Sequence, residues 1–444
     1  KSPENARHAI ESKDVGGQLF LRETHRKVLR VLDQAEALTQ RYHVVVANPP
    51  YMGGKGMNGA IKQLLQDHFA DYKSDLFAAF IVRALVLCQS DGYLGFMSPF
   101  VWMFISSYEE LRNRLISTAT ITTLVQLEYS GFDGATVPIC TFTLQNKRRN
   151  NYKGGYVRLS SFRGSANQGP RALEAIANPS CGWFFRASSD DFKKIPGSPI
   201  AYWASPAIAN LFATHSPLSG HIETREGLTT GSNETFLRFW FEVAITRIGF
   251  SLSTTAEATR SGYRWFPHLK GGGFRRWGGN VEYVVDWEND GERARTFTDQ
   301  DTGRVRSHNY NGEYGFREGL TWSGLSSGVF SVRFVKPGHM FDTKAPMAFA
   351  KDTGTLSYVL LFLNSTVAGR LIEMLAPTLD FKISHVLNLP LVASVRVIDA
   401  SHLVNISLAD WDNFETSWDF RDQPLLRPGL KGVTLEASWR NWEG

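Results

Sequence analysis

The sequence predicts an α/β domain followed by a strand-rich α+β region, and three features carry that prediction. Short apolar runs rich in β-branched residues alternate with stretches of helical periodicity up to about residue 145. A charged, polar break, Lys147-Arg148-Arg149-Asn150-Asn151, follows. From there to about residue 355 the chain reads as short strands with many glycines and few long helices.

Residues 17–41 predict a helix, with Leu21, Val28, Leu32, Ala35 and Leu38 at helical spacing. Tyr42 to Ala47 has the β-branched character of a strand buried on both faces of a parallel sheet. Asn48-Pro49-Pro50 stops it, since neither strand nor helix runs on through two prolines. Ser74 is placed to cap a helix carrying Leu76, Phe77, Phe80, Ile81, Ala84, Leu85 and Cys88, with Asp75 in its first turn. Asp91-Gly92 turns into a strand at Tyr93 to Met97, and Ser107-Tyr108-Glu109-Glu110 forms a capping box for a helix through Ile116. A strand over 120–127, a Gly/Asp break at 131–134 and a strand over 139–144 complete the α/β pattern. Residues 356–375 read as one helix ending near Pro377, and the last 40 residues, with Trp411, Trp418, Trp439 and Trp442, as a partly helical tail. The expected divisions are 1–150, 151–395 and 396–444, with no internal repeat.

A chain of 444 residues is long enough for two or three domains with their own cores. Its 43% hydrophobic and 20% charged content describes a folded protein, not a disordered one. The net charge of +5 is compatible with nucleic acid without requiring it. Cys88, Cys140 and Cys181 lie far apart and the eleven histidines form no helical pair, so neither a disulfide framework nor a metal site is expected. A reducing cytoplasm fits this cysteine usage. No apolar run approaches the ~20 residues that span a membrane. The opening, KSPENARHAI, has neither an apolar signal segment nor an initiator Met, as expected of a chain that begins inside a longer one.

Asn48-Pro49-Pro50-Tyr51 is the segment that points to chemistry. A conjugated exocyclic amine is a poor nucleophile, because its lone pair is delocalised into the ring. Two acceptors aimed at its two hydrogens draw the nitrogen towards a tetrahedral state. The Asn48 side-chain oxygen and the Pro49 carbonyl can be those acceptors, held in place by consecutive prolines. Tyr51 offers a flat face for a base flipped out of a duplex. The competing reading, a plain Pro-Pro turn, is weakened by a buried strand before it and a capped helix after it, since ligands sit at the carboxyl ends of parallel strands.

The run VVVANPPY resembles motif IV of the amino-methyltransferases that use S-adenosylmethionine. NPPYMGGKGMN, SDLFAAF and GYLGFMSPFVWMFISSYEELR resemble the PglX-type methyltransferases of BREX phage-defence systems. So do GLTTGSNETFLRFW, KGGGFRRWGGN, TWSGLSSGVFSVRF, FLNSTVAGRLIEMLAPTLDF and WDNFETSWDF, so that the likeness runs along nearly the whole chain. The resemblance implies part of a Rossmann-like S-adenosylmethionine-dependent methyltransferase sheet, followed by a target-recognition domain. It also implies Phe132, in Gly131-Phe132-Asp133-Gly134, as a second residue stacking on a flipped adenine. The family's glycine-rich turn (similar to DPAxGSG) and its ribose-holding acid do not occur before Asn48. Most of the cofactor site is therefore expected before Lys1, and the chain by itself is expected to bind S-adenosylmethionine weakly or not at all.

Between Ala258 and Val281 no acidic residue occurs, while Arg260, Arg264, Lys270, Arg275 and Arg276 interleave with Tyr263, Trp265, Phe266, Phe274 and Trp277. Such a stretch fits phosphate anchoring, with Gly271 to Gly273 allowing close backbone approach. Thr230, Asn233 and Arg238 lie in a second polar stretch that resembles the start of the family's recognition domain. The DNA-facing candidates are thus Thr230, Asn233, Arg238, Arg264, Lys270, Arg275, Arg276 and Trp277. The leading expectation is methylation of adenine in a specific duplex sequence for self-marking in phage defence. Double-stranded DNA is the partner, with other defence proteins or a phage-encoded inhibitor beside it. Two alternatives stand: a non-catalytic specificity module, or a methyltransferase acting on protein glutamine or RNA guanine.

Overall fold

The computed structural model describes residues 3–13, 19–129, 131–132, 137–309, 311–326, 328–377, 380–391 and 399–443. It divides into two compact units, 1–210 and 211–444.

The first unit is built on a six-stranded mixed sheet of order β1-β2-β4-β3-β5-β6. Its strands are β1 (Tyr42–Ala47), β2 (Cys88–Pro99), β3 (Thr120–Gln126), β4 (Ile139–Gln145), β5 (Lys153–Arg158) and β6 (Phe184–Ser188). β1 runs parallel to β2 and β3 parallel to β5, whereas β4 is antiparallel to both its neighbours. The helix Leu76–Leu87 buries Phe77, Ala78, Ile81, Val82 and Leu85 against the sheet. Its cap is Asp75 and not Ser74: the carboxylate accepts the Phe77 N–H. The expected capping box at Ser107 is not formed, because a 3-10 turn at Ser106–Tyr108 leads directly into the helix Glu109–Thr118. On that helix the buried Arg112 has no ion pair among the described residues; it donates to the carbonyls of Trp102, Ile105 and Gly197 at 2.8–2.9 Å. Burial pulls its pKa down to about 10.

Two sequence expectations fail in this unit. β1 is not buried on both faces; it is an edge strand paired only with β2 among the described residues, and Val46 is 76% exposed. The division at residue 150 is also misplaced. Residues 147–151 form a tight connection in which Lys147 pairs with Asp91, Arg148 with Asp190, and Asn151 takes φ +55°. β5 and β6 then add to the same sheet, so the unit extends to residue 210.

The second unit holds β7 (Glu223–Arg225), β8 (Leu237–Phe239), β9 (Trp265–Leu269), β10 (Tyr283–Asp286), β11 (Gly319–Trp322), β12 (Val332–Val335), β13 (Met340–Phe341) and β14 (Met347–Phe349). They form two four-stranded sheets, β13-β9-β10-β8 and β12-β11-β14-β7. The single helix read over 356–375 is two helices, Thr353–Leu363 and Thr366–Leu375, bent by 76°. The buried Asn364 causes the break. Its Oδ1 accepts the Val332 N–H at 3.0 Å while its amide donates to the carbonyls of Val332 and Leu360, and Ser365 caps the second helix. The division placed at 395/396 lies outside the described residues. The helix Ser401–Trp411 belongs to this unit, since Arg275 pairs with its Asp410 at 2.9 Å.

At the end of β13, Asp342 is buried beneath His268 of β9, with Nε2 at 3.7 Å, and beside Lys270. Burial alone raises the Asp342 carboxyl, but the imidazole and the ammonium outweigh it and hold its pKa well below the usual range. A depressed carboxylate stabilises the folded state fully above its unfolded pKa of ~4, and that stabilisation disappears as pH falls through the folded value. Asp342→Asn should therefore lower the melting temperature at pH 7, and the gap to the parent should narrow below about pH 4; a pH-independent gap refutes this assignment. Asn364→Ala should cost about 2–3 kcal/mol in urea unfolding, because it leaves both backbone groups of Val332 unpaired.

Candidate active site and nucleic-acid interface

Asn48-Pro49-Pro50-Tyr51 leaves the sheet at the carboxyl end of β1, where Ala47 stands opposite Phe96 of β2. Pro49 is buried, Asn48 and Pro50 are exposed and Tyr51 is half-buried. The Tyr51 hydroxyl donates to Asn48 Oδ1 at 3.0 Å, so the asparagine oxygen is turned towards the tyrosine. Tyr51 packs on the sheet core, and burial raises its phenol pKa, with Cys140 adding to the effect. The next turn is stitched to the helix Leu76–Leu87: Asp75 Oδ1 accepts the Met52 N–H at 2.9 Å, and Leu76 N–H donates to Met52 O at 3.1 Å. One carboxylate thus holds both the helix start and the residue after Tyr51. The sequence showed Asp75 only as a first-turn acid.

Phe132 lies in the connection from β3 to β4. That connection opens at the same end of the sheet, because Pro99 of β2 faces Ile139 and Gln126 of β3 faces Cys140. Phe132 is 41% exposed, and so is most of Tyr129, a neighbouring aromatic that the sequence reading passed over. The start of the connection is held by the buried Gln168, whose Oε1 accepts the Glu128 N–H at 3.0 Å while its amide donates to the carbonyls of Phe162 and Gly164. Nothing in the local sequence pairs residue 168 with residue 128, so only the fold reveals it.

The described residues offer a poor fit to the ribose and amino-acid ends of S-adenosylmethionine. No strand and glycine-rich turn precede β1 among them, and Asp75 already serves two backbone N–H groups. Gly53 to Gly56 form a turn closed by Gly56 N–H on Gly53 O at 2.9 Å.

In the second unit most of the basic candidates are already partnered. Arg264 pairs with the buried Asp286 at 2.8 Å and shares it with Arg293. Thr230 is buried and donates to Asn233 Oδ1 at 2.9 Å; Lys270 also donates to that oxygen and pairs with Asp342. Arg238 is turned back onto the carbonyls of Glu234 and Leu237. Arg275 is held by Asp410 and lies 5.0 Å over the Trp411 ring. Arg276 stands over Phe274 at 5.5 Å with no ion pair among the described residues, its Nε buried and unpartnered. Trp277 takes φ +71°, and its backbone bonds to Val332 and Phe334. The expected strip of free cations is therefore largely an internal charge network. The glycines have a packing reason as well: Gly272 has φ +121°, and a Cβ there would meet Asn280 at 2.9 Å.

Residues 5–132 match the Eco57I restriction-modification methylase family. The chain is 40% identical to the adenine-specific methyltransferase PglX of Lacticaseibacillus casei (strain Zhang), over 94% of this chain and 35% of that protein. It is 35% identical to the adenine-specific methyltransferase BrxX of Escherichia coli O9:H4 (strain HS), over 97% of this chain and 34% of that protein. Its fold resembles the type IIL restriction-modification enzyme MmeI, solved in complex with DNA, with a TM-score of 0.54 at 12% identity over 90% of this chain and 53% of that one. It also resembles a nuclease-deletion mutant of the type ISP enzyme LlaGI, solved with a DNA substrate mimic, with a TM-score of 0.52 at 11% identity over 96% and 39%. Over nearly its whole length, then, the chain is similar to adenine-specific methyltransferases of the PglX type, and it spans about a third of the length of the curated relatives it matches.

Proposed function

We propose that this chain supplies the target-base half of the active site, and much of the DNA-reading surface, of a site-specific adenine methyltransferase. The whole protein uses S-adenosylmethionine and works in the bacterial cytoplasm to mark self DNA in phage defence. The observation that carries this reading is the placement of Asn48 and Tyr51 at the carboxyl end of a parallel strand, with the Asn48 oxygen turned towards the tyrosine at 3.0 Å. The adenine-specific methyltransferase activity for which PglX and BrxX are named supports the reaction class, and the DNA-bound state of MmeI supports the substrate.

In this reading the amino group of a flipped adenine takes the place of the Tyr51 hydroxyl on Asn48 Oδ1. The Pro49 carbonyl accepts its second hydrogen. The two acceptors draw the amine nitrogen towards a pyramidal geometry and localise its lone pair, so that the nitrogen can act as a nucleophile. Tyr51, half-buried and fixed by the sheet core, presents its ring to the base, and Phe132 covers the base from the β3–β4 connection. The poor fit of the described residues to the methyl donor favours a second reading for the isolated chain: a DNA-binding module that is not active alone.

Asn48→Ala in the full-length protein should reduce adenine methylation by at least ~10²-fold, read by modification-sensitive sequencing, with DNA affinity nearly unchanged; persisting methylation removes Asn48 from the site. The two neighbouring arginines should separate. Arg276→Ala should weaken DNA binding and reduce the salt slope by about 1 without changing the melting temperature. Arg275→Ala should instead cost about 1–3 kcal/mol of unfolding free energy through the lost Asp410 pair. Equal effects of the two on the salt slope would contradict the structural role given to Arg275.

A further inference from the structure

The DNA-facing residues named from the sequence all lie in the second unit, and most of them already have partners there. The first unit holds a cation without one. Arg158 ends β5, where it stands opposite Gln126, the last residue of β3. β1, β2, β3 and β5 all run in one direction, and β4 between them is reversed. The carboxyl end of β5 is therefore at the same edge of the sheet from which Asn48 leaves β1. Four strand spacings of about 4.8 Å separate the two ends, roughly 19 Å across the sheet. That separation lies within the ~34 Å of one turn of duplex.

The Arg158 guanidinium lies over the Trp203 ring, 4.4 Å from its centroid. Trp203 is itself fixed, edge-on to Tyr202 at 5.1 Å and tilted against Phe104 at 5.6 Å. The buried Tyr202 is tied back to β3 through its hydroxyl, which donates to Gln126 Oε1 at 2.7 Å. Arg158 Nε donates to Ser160 Oγ at 3.2 Å. Among the described residues no acid pairs with Arg158, and its two terminal nitrogens have no hydrogen-bond partner. Other arginines of the unit are consumed: Arg112 by three carbonyls, Arg148 by Asp190 and Arg171 by Glu174.

Ser160 Oγ accepts from Nε and keeps its own hydrogen to donate. Half-buried Arg158 and exposed Ser160 thus offer two terminal guanidinium nitrogens and one hydroxyl, all donors, at the edge of the sheet. Such a set suits an anion with several oxygens, and the guanidinium fork matches a phosphate bidentately. A guanidinium already laid on a fixed ring also loses less freedom on binding than a mobile surface arginine does.

We propose that Arg158 and Ser160 grip a backbone phosphate of the bound duplex, so that the unit carrying Asn48 and Tyr51 anchors the DNA as well as the flipped base. This inference rests on the reading of the chain as part of a DNA methyltransferase, and the test separates the two.

Binding of a fluorescently labelled duplex to the full-length protein is followed by anisotropy over a range of salt concentrations. The variants are Arg158→Ala, Arg158→Lys, Lys153→Ala and Asn48→Ala, each with its melting temperature. Arg158→Ala should weaken binding about tenfold and reduce the slope of log affinity against log salt by about 1. Arg158→Lys should restore the slope, which a role confined to packing on Trp203 would not do. Lys153→Ala removes an exposed cation at the opposite end of the same strand and should leave the slope unchanged. Arg158→Gln, uncharged but long enough to cover the ring, carries the test if Arg158→Ala fails to fold. An unchanged slope in a folded Arg158 variant overturns the proposal, as does an equal loss in Lys153→Ala. An unchanged slope with a raised KM for S-adenosylmethionine also overturns it, by identifying the anion as the carboxylate of the methyl donor. Asn48→Ala should lose methylation with its slope intact; persisting methylation there counts against the Asn48 site and not against the phosphate contact.

Discussion

Two consecutive prolines at the end of β1 remove two backbone donors at once, so the chain cannot extend the sheet and must be held by other means. Asp75 meets that need, with one oxygen taking the Met52 N–H and the first free N–H of the helix Leu76–Leu87. The helix is fixed in turn by its apolar face on the sheet. The position of Asn48 and Tyr51 therefore follows from a rigid pair of prolines on one side and a buried helix on the other. Neither side chain needs a dedicated support, because the backbone that carries them has little freedom left.

The second unit is governed by the placement of carboxylates. Asp286, Asp342 and Asp410 each lie against a cation of the stretch that the sequence marks as acid-free. All three come from other parts of the chain. A buried arginine or lysine without a counter-ion is costly, and three of the five cations of that stretch, Arg264, Lys270 and Arg275, are neutralised internally. What is left to meet a polyanion is smaller than the composition implies, and Arg276 is its clearest member.

The sequence made the α/β character of the first unit legible, since strands such as Thr120–Gln126 and Ile139–Gln145 are marked by local pattern. Asn48 to Tyr51 was equally legible, because two prolines after a β-branched run leave few conformations open. Other features were not, for reasons of distance along the chain. The placing of β5 and β6 in the first sheet depends on a register with β3 that no local motif encodes. The break at Asn364 depends on Val332, on a strand far from the helix it interrupts. Ion pairing hid the fate of Lys270 and Arg275 in the same way, because a run of basic residues looks alike whether its partners are phosphates or distant aspartates.

The pairing of β1 with β2 has a consequence for the order of assembly. Parallel strands cannot be joined by a tight turn, so the sheet pairing at Ala47 waits until the intervening helices and the whole of β2 have been made and docked. Asn48 and Tyr51 are thus set late, by a non-local contact whose loop-closure entropy is met only when the core of the unit condenses. Damage anywhere along that route, including at residues far from any base, reaches the active loop as misplacement, and a slow-folding variant can be inactive while every residue of the site is intact.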